Sequence, residues 1–371
     1  GSIRDQYLRI GSRFSTAEDF HGQLLSRHTA DIHNRADLHA LLESRRIFVS
    51  TVSSFAQNDG LLRLKKFQRL VIDEASQILE PQLAGLLTRF DHFILIGDHR
   101  QLPAVTTQRP QFTLVEDTDL HTIGLVDLRD SYFERLYRRC DQQEWHHALG
   151  RLSAQGRMHR DIMEFPNQQF YGNFLNTLSA DETDPQHLPL CYPRLPASPV
   201  WTKRLAHQRV AFVTTGREEE KPGQKTNEQE ARYVVQLVRF FKALWQDNQF
   251  VWSPRTLGII TPWRAQIACI RQALTDAGIS PDDLTVDTVE RYQGGARDII
   301  LMSCCVNSPG QLDALVSLSN EGTDRKLNVA LTRARQHVVV LGNANLLRQD
   351  ERYRAFIERY GDDRECADGE E

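Results

Sequence analysis

The 371-residue chain contains no apolar run near the roughly 18 residues that a membrane-spanning helix needs, and its first residues lack the charged-then-apolar layout of a secretory signal. The expectation is a soluble, cytoplasmic protein with no membrane partner. Cysteine is sparse: Cys140, Cys191, Cys269, Cys304, Cys305 and Cys366 form no CxxC pair and no His-Cys group at metal-ligand spacing. That suggests neither zinc nor a disulfide framework and fits reduced thiols. Positive charge is not in excess either, the formal net charge being -4. That argues against a wholly basic protein that coats nucleic acid, but a cleft gripping a few phosphates needs only local positive charge. Internal repeats are also missing. With 40% hydrophobic and 25% charged residues, the composition is that of two ordinary globular domains.

What is present is an alternation of short β-branched runs with longer helical patterns, the mark of parallel sheets covered by helices on both faces. The fold class expected is α/β. Strands are expected at 47–51, 70–73, 93–97, 210–214, 256–261, 284–288, 299–306 and 337–342, and none is apparent before them. The proline-rich stretch 181–199 and the charged stretch 216–227 read as surface loops, and 361–371 as an acidic, disordered tail.

Five places carry chemistry. In RLVIDEASQ, Asp73 and Glu74 follow a buried-type strand, at the edge where α/β sheets bind ligands. One carboxylate there can hold Mg²⁺ and its neighbour can orient the attacking water. Capping of a helix starting near Gln77 explains the same residues equally well. HFILIGDHRQLPAV repeats the layout: Gly97 ends a strand and permits close backbone approach, Asp98 follows, and the Gln101 amide could sense a γ-phosphate. A simple Gly-Asp turn before Pro103 is the alternative.

LSAQGRMHRDIM places Gln155 and Arg157 ahead of a helix, and KLNVALTRARQHVVVLGN places Arg333 and Arg335 on a helix leading into an apolar strand. Arginine suits a γ-phosphate because its planar fork is always charged. On that helix the two arginines lie about 200° apart, so Arg333 is expected to enter the ATP site. Arg335 either supports it or pairs with a surface acid. Finally, LTVDTVERYQGGARD ends a strand at Thr288 and continues into a loop with Gly294, small groups suited to a phosphodiester backbone. Thr288 could equally cap the next turn.

Taken in order, VIDEASQ, LIGDHRQLPAV, QGRMH, GIITPWRAQ, VDTVERYQG and LNVALTRAR resemble the motifs of superfamily 1 RNA/DNA helicases, in the branch of the nonsense-mediated-decay helicase and senataxin. The match runs from about Arg46 to Asn343. The resemblance implies two RecA-like domains closing on ATP, the first truncated over 1–150 and the second complete over 151–360. It assigns Asp73 to Mg²⁺, Glu74 to water activation, Gln101 to coupling, and Arg157 and Arg333 to arginine fingers. Gly97, Asp98, Gln155, Gly294 and Arg335 fall beside the nucleotide in this scheme. Thr51, Thr261 with Pro262, and Thr288 match positions that touch a single strand of RNA or DNA, along which such motors generally move 5′ to 3′. Thr226 to Ala231 resembles the family's Asn-x-x-Glu-Ala helix start.

Three departures stand out. There is no GxxxxGK[ST] loop to cradle a triphosphate, so an upstream segment of a longer parent protein is expected to carry it, leaving this chain inactive alone. Gly156 replaces an aromatic frequent before the first finger, and Ala296 replaces an acid, which weakens expected base and ribose recognition. From a different function class, a noncatalytic helicase-derived binding or regulatory module is the competing expectation.

Overall fold

The computed structural model describes residues 6–217, 223–292, 295–319 and 321–361. Its strands all pair in parallel, and the chain divides into two compact units. One runs to His99 and resumes over Pro103–Gly150; the other takes Arg100–Leu102 and everything from Arg151.

In the first unit β1 (Tyr7–Ile10) pairs with β2 (Ile47–Ser50), and β3 (Arg69–Ile72) with β4 (His92–Leu95). β1 corrects the expectation that no strand precedes residue 47. Its alternation is only four residues long and its partner is remote in sequence, so no local pattern announces it. Helices α1 (Arg35–Ser44), α2 (Val52–Ala56) and α3 (Glu80–Leu87) cover one side of these strands, burying Leu8, Ile10, Leu42, Phe55, Leu83 and Leu86. The other side is bare. Ile47, Val49, Val71, Ile94 and Ile96 are between 40% and 58% exposed, whereas parallel strands are ordinarily covered on both faces.

The carboxyl ends of β3 and β4 close on each other. Ile96 N–H donates to the Ile72 carbonyl and Ala75 N–H to the Ile96 carbonyl, both at 2.8 Å. A β-carbon on Gly97 would lie 3.0 Å from the Ser76 nitrogen and 3.3 Å from its Oγ. Glycine is therefore required by the approach of the chain's own backbone at this point.

The second unit has a small pair, β5 (Ala154–Gln155) with β6 (Asn176–Thr177), and a five-stranded sheet. The latter comprises β7 (Val210–Thr214), β8 (Leu257–Ile260), β9 (Thr285–Asp287), β10 (Arg297–Ser303) and β11 (Ala334–Gly342), in the spatial order β7-β11-β10-β8-β9. Alternate strand residues enter two different cores. Ala211, Val213, Ile259, Leu301 and Leu341 pack with α4 (Glu228–Asp247) and α5 (Arg264–Asp276). Phe212, Ile300, Met302 and Val340 pack with helices 160–170, 325–331 and 351–360 on the other face. Both faces are covered, as an all-parallel sheet requires. The 181–199 stretch is loop up to Pro199, the N-cap of a short helix. The acidic tail beyond Gly361 lies outside the described residues.

On the α4 face, the fully buried His337 imidazole accepts from the Tyr192 hydroxyl at 2.8 Å and donates from Nδ1 to the Gln208 carbonyl at 3.2 Å. Burial, reinforced by the nearby Arg209 guanidinium and by His159, pushes its pKa down to about 3. His159 is lowered too, by burial and then Arg209, against the opposing charge of Asp161.

Two predictions follow from this packing. The unfolded chain takes up a proton on His337 near pH 6.5, while the native ring refuses it until about pH 3. Stability conferred by the neutral ring is whole above 6.5 and is lost as pH falls toward 3, by up to about 1.4 kcal/mol per pH unit. Between pH 7 and 5, guanidinium unfolding of the wild type is expected to lose about 2 kcal/mol more than His337→Gln does; equal losses would locate the pH sensitivity elsewhere. Gly97→Ala is expected to destabilise the first unit by about 1–3 kcal/mol through overpacking against Ser76, read as an earlier denaturant midpoint, and an unchanged midpoint would show that the Ser76 turn yields freely.

Candidate functional site

In the first unit, Asp73 and Glu74 stand exposed just past β3, beside Gly97 and the half-buried Asp98 past β4. Glu74 has φ 54° and ψ 35°, the left-handed region that a non-glycine residue enters at a cost of about 1–2 kcal/mol. Asp73 Oδ1 accepts the Glu74 N–H at 3.0 Å, and Glu74 Oε2 accepts from Gln77 Nε2 at 2.5 Å. Glu74 makes no side-chain cap bond to the turn Ala75–Gln77, so helix capping does not explain this pair. Two exposed carboxylates at a parallel-strand end, next to a residue without a side chain, fit a hydrated Mg²⁺ and a triphosphate. Thr51 belongs to the same unit, where its hydroxyl caps α2 by accepting the Ser54 N–H at 3.1 Å. A cleft of about 930 Å³ in this unit, lined in part by Ser12, His33, Asn34, Arg35, Gln57 and Asn58, includes none of the candidate residues.

The second unit separates its candidates onto opposite edges of the sheet. At the amino edge, the helix expected to carry both motif arginines stops early. It spans Arg325–Leu331, and β11 begins at Ala334. Thr332 ends the helix by donating its hydroxyl to the Asn328 carbonyl at 2.8 Å, and the Arg333 carbonyl accepts the Arg297 N–H of β10 at 3.0 Å. Sheet pairing overrides the helical periodicity. Arg333 therefore sits in the turn, 2% exposed, and Arg335 on the strand. Arg333 Nη2 donates to Gln101 Oε1 at 2.7 Å and its Nε to the Val329 carbonyl at 3.4 Å. Arg157 Nη1 donates to the Thr332 carbonyl at 3.2 Å. Gln101, Arg157 and Arg333, remote in sequence, thus meet at the carboxyl end of one helix, whose partial negative charge favours cations.

The tripeptide that brings Gln101 there is held on both sides. The Arg100 carbonyl accepts from Asn328 Nδ2 at 2.8 Å, the Arg100 guanidinium lies 3.6 Å from Glu321, and Leu102 is buried in the core. Gln155 shapes the loop bearing Arg157: its Oε1 accepts the N–H groups of Arg157 and Met158 at 2.9 and 2.8 Å. Arg335 is not drawn into this group. Its Nη1 lies 3.4 Å from Asp298 Oδ1, and that carboxyl group is raised above its ordinary pKa by burial, against the pull of Arg335. Gly294 lies outside the described residues.

The carboxyl edge holds the other set. Thr261 and Pro262 follow β8, and Thr288 follows β9, with the Thr261 N–H donating to the Asp287 carbonyl at 3.2 Å. The Thr261 hydroxyl is fully buried and has no partner among the described residues, so in this structure it does not face solvent. Pro262 and Thr288 are half-buried, and the Thr288 N–H donates to Asp287 Oδ1 at 2.8 Å. β10 is seven residues long, so the two edges lie about 20 Å apart. Trp263, Lys225 and Glu230 also belong to the carboxyl edge and were not singled out for strand contact from sequence. Only the Asn-x-x-Glu-Ala start pointed to Glu230.

Among the described residues, no helix is long and apolar enough to cross a membrane, and no three His, Cys, Asp or Glu side chains are grouped to hold a metal ion. A family model described as an AAA domain matches residues 128–345, and a second of the same description matches 16–109. The probable helicase MAGATAMA 3 of Arabidopsis thaliana is 28% identical across 86% of this chain and 35% of its own length. The mouse DNA replication ATP-dependent helicase/nuclease DNA2 is 29% identical across 92% of this chain and 31% of its own. The ATP-dependent helicase upf1 of Schizosaccharomyces pombe is 30% identical across 79% and 28%. The chain thus spans about a third of the length of these curated relatives. With more than half its residues inside one such model and the six motifs on an α/β scaffold of parallel sheets, the chain belongs to the UPF1-like family of superfamily 1 helicases.

Proposed function

We propose that this chain is the greater part of an ATP-driven motor that translocates on single-stranded RNA or DNA, and that its parent protein supplies the phosphate-cradling loop from upstream. The observation that carries this reading is the convergence of Gln101, Arg157 and Arg333 on one helix end. A buried guanidinium held by a neutral amide oxygen is poised to exchange that partner for an anionic oxygen, which gives a stronger, charge-assisted bond. In this role Arg157 and Arg333 neutralise charge developing on the γ-phosphate, and Gln101 reports that exchange.

Asp73 would hold Mg²⁺ through its exposed carboxylate, and Glu74 would orient and deprotonate the attacking water. A bound ion would supply charge neutralisation at the triphosphate. The bare face of the first unit supports the upstream segment. Its five half-exposed Ile and Val residues, Ile47, Val49, Val71, Ile94 and Ile96, are the kind a covering helix or strand buries. At the other edge of the second unit, Pro262 and Thr288 would meet the sugar-phosphate backbone, a mode of contact that is tolerant of sequence and weakened by salt.

The chain by itself is expected to show no nucleotide hydrolysis, since its carboxylates and arginines then have no cradled triphosphate to act on. Robust ATPase activity of the purified chain, abolished by Glu74→Gln, would overturn the need for an upstream loop. In the full-length parent, Arg333→Ala is expected to lower turnover by about 10³-fold or more, with Arg335→Ala costing far less because its guanidinium serves a half-exposed ion pair. Comparable losses in the two variants would remove the distinction drawn between them, full activity in both would refute the finger role of Arg333, and a wild-type parent without turnover would favour a noncatalytic module.

A further inference from the structure

The carboxyl edge of the second unit contains a buried polar relay that none of the roles above uses. Asn227 caps α4, accepting the Glu230 N–H on Oδ1 at 2.8 Å. In a capping box the third helical residue would turn back to the cap's own N–H. Here that N–H donates to Gln266 Oε1 at 2.8 Å, and the fully buried Glu230 reaches across to the end of β10. Its carboxylate accepts the Ser303 hydroxyl at 2.6 Å and the Cys305 N–H at 3.0 Å. Cys305 has φ 49°, a left-handed kink that its β-carbon disfavours and that the hydrogen bond from its N–H to Glu230 secures. Beyond the kink, the Cys305 carbonyl accepts the Trp263 indole N–H at 3.3 Å.

Trp263 is consequently tied by one edge. It is half-buried, and the Lys225 ammonium lies over the ring, 4.6 Å from its centroid. A fixed indole face under an exposed lysine, flanked by Pro262, is suited to a planar base followed by a phosphate. The base can take the place of the ammonium on the ring, and the ammonium can then pair with the adjacent phosphate. The edge that holds Trp263 lies about 20 Å from the Arg333 edge, the length of β10. That separation assigns the base to the strand and not to the nucleotide that Arg333 would serve.

We propose that Trp263 is a stacking platform for one base of the bound single strand, and that Glu230 is the positioning residue that fixes it through Cys305. The proposal rests on the strand-binding reading above. Lys225 acts with the platform as its phosphate partner, and the platform asks only for a π-face, so all four bases are accepted.

The test compares two fluorescently labelled oligomers of about 12 nucleotides, one of thymidylate and one of abasic sites with the same phosphates, binding to the 371-residue chain at low salt. The wild type is expected to bind thymidylate about 10-fold more tightly than the abasic strand. Trp263→Ala is expected to erase that difference by weakening thymidylate alone, and Trp263→Phe to keep most of it. Glu230→Gln is expected to shrink the difference several-fold while leaving abasic affinity unchanged, an effect a purely structural role would not have. If Trp263→Ala weakens both strands equally, or neither, the platform is refuted while strand binding stands. If Glu230→Gln lowers the melting temperature and keeps the full difference, Glu230 contributes to stability alone. A wild-type chain that binds neither oligomer overturns the strand-binding reading and this proposal with it.

Discussion

The register between β10 and β11 decides most of what the second unit presents to a ligand. Both strands are buried on both faces, where an unpaired backbone N–H costs about 1–3 kcal/mol. Once Arg297 aligns with Ala334, the Arg297 N–H needs the Arg333 carbonyl, and the helix before it has to end. That break turns the Arg333 guanidinium inward. At the opposite edge the ladder runs out at Ser303 and Leu341, the Cys304 N–H takes the Leu341 carbonyl, and the chain leaves through the kink at Cys305. A slip of one residue would exchange the two cores and displace both edges together. The strand grip and the arginine pair are in this sense two ends of one alignment.

Buried strands were the most legible feature of the sequence, because a parallel strand covered on both sides is a continuous apolar run. Residues 210–214 and 337–342, for instance, fall within β7 and β11. The start of α4 was legible only through the family's Asn-x-x-Glu-Ala pattern, and there Asn227 caps the helix by accepting the Glu230 N–H. The helical placement of Arg333 was the instructive failure. Leu327, Ala330, Leu331 and Ala334 fit a helical stripe, and only a partner strand remote in sequence makes the last of them β. Thr261 shows a second limit: a hydroxyl at a strand end looks available in sequence, yet here it is sealed beneath its neighbours. The relay from Glu230 to Trp263 has no period at all, since its members come from three separate segments joined by side-chain bonds.

The two units meet the demands of a parallel sheet unequally. In the second, α4 alone contributes Val234, Leu237, Val238, Phe240, Phe241 and Leu244 to the core against the sheet. In the first, the two pairs of strands each have a covered side and a bare side, and Glu74 adds backbone strain just past the end of β3. Residues held in disfavoured conformations persist where surrounding structure over-determines them. Gly97 provides that restraint from the neighbouring strand by letting Ser76 come within contact distance. The carboxylates are thus placed by backbone packing, not by ion pairs.

Arg100, Gln101 and Leu102 belong to the second unit although the residues on either side of them belong to the first. Three residues are too few to form an element of their own, and they are secured instead by the Asn328 amide, by Glu321 and by a buried leucine worth roughly 2 kcal/mol. The unit is therefore not a contiguous module. A gene fragment opening at Arg151 would encode the whole five-stranded sheet and still lack Leu102 from its core, the Arg100 carbonyl that Asn328 meets and the Gln101 oxygen that Arg333 meets. The downstream half therefore draws part of its own packing from residues encoded about fifty positions before the apparent boundary, so the border between the units in sequence is not the border in space.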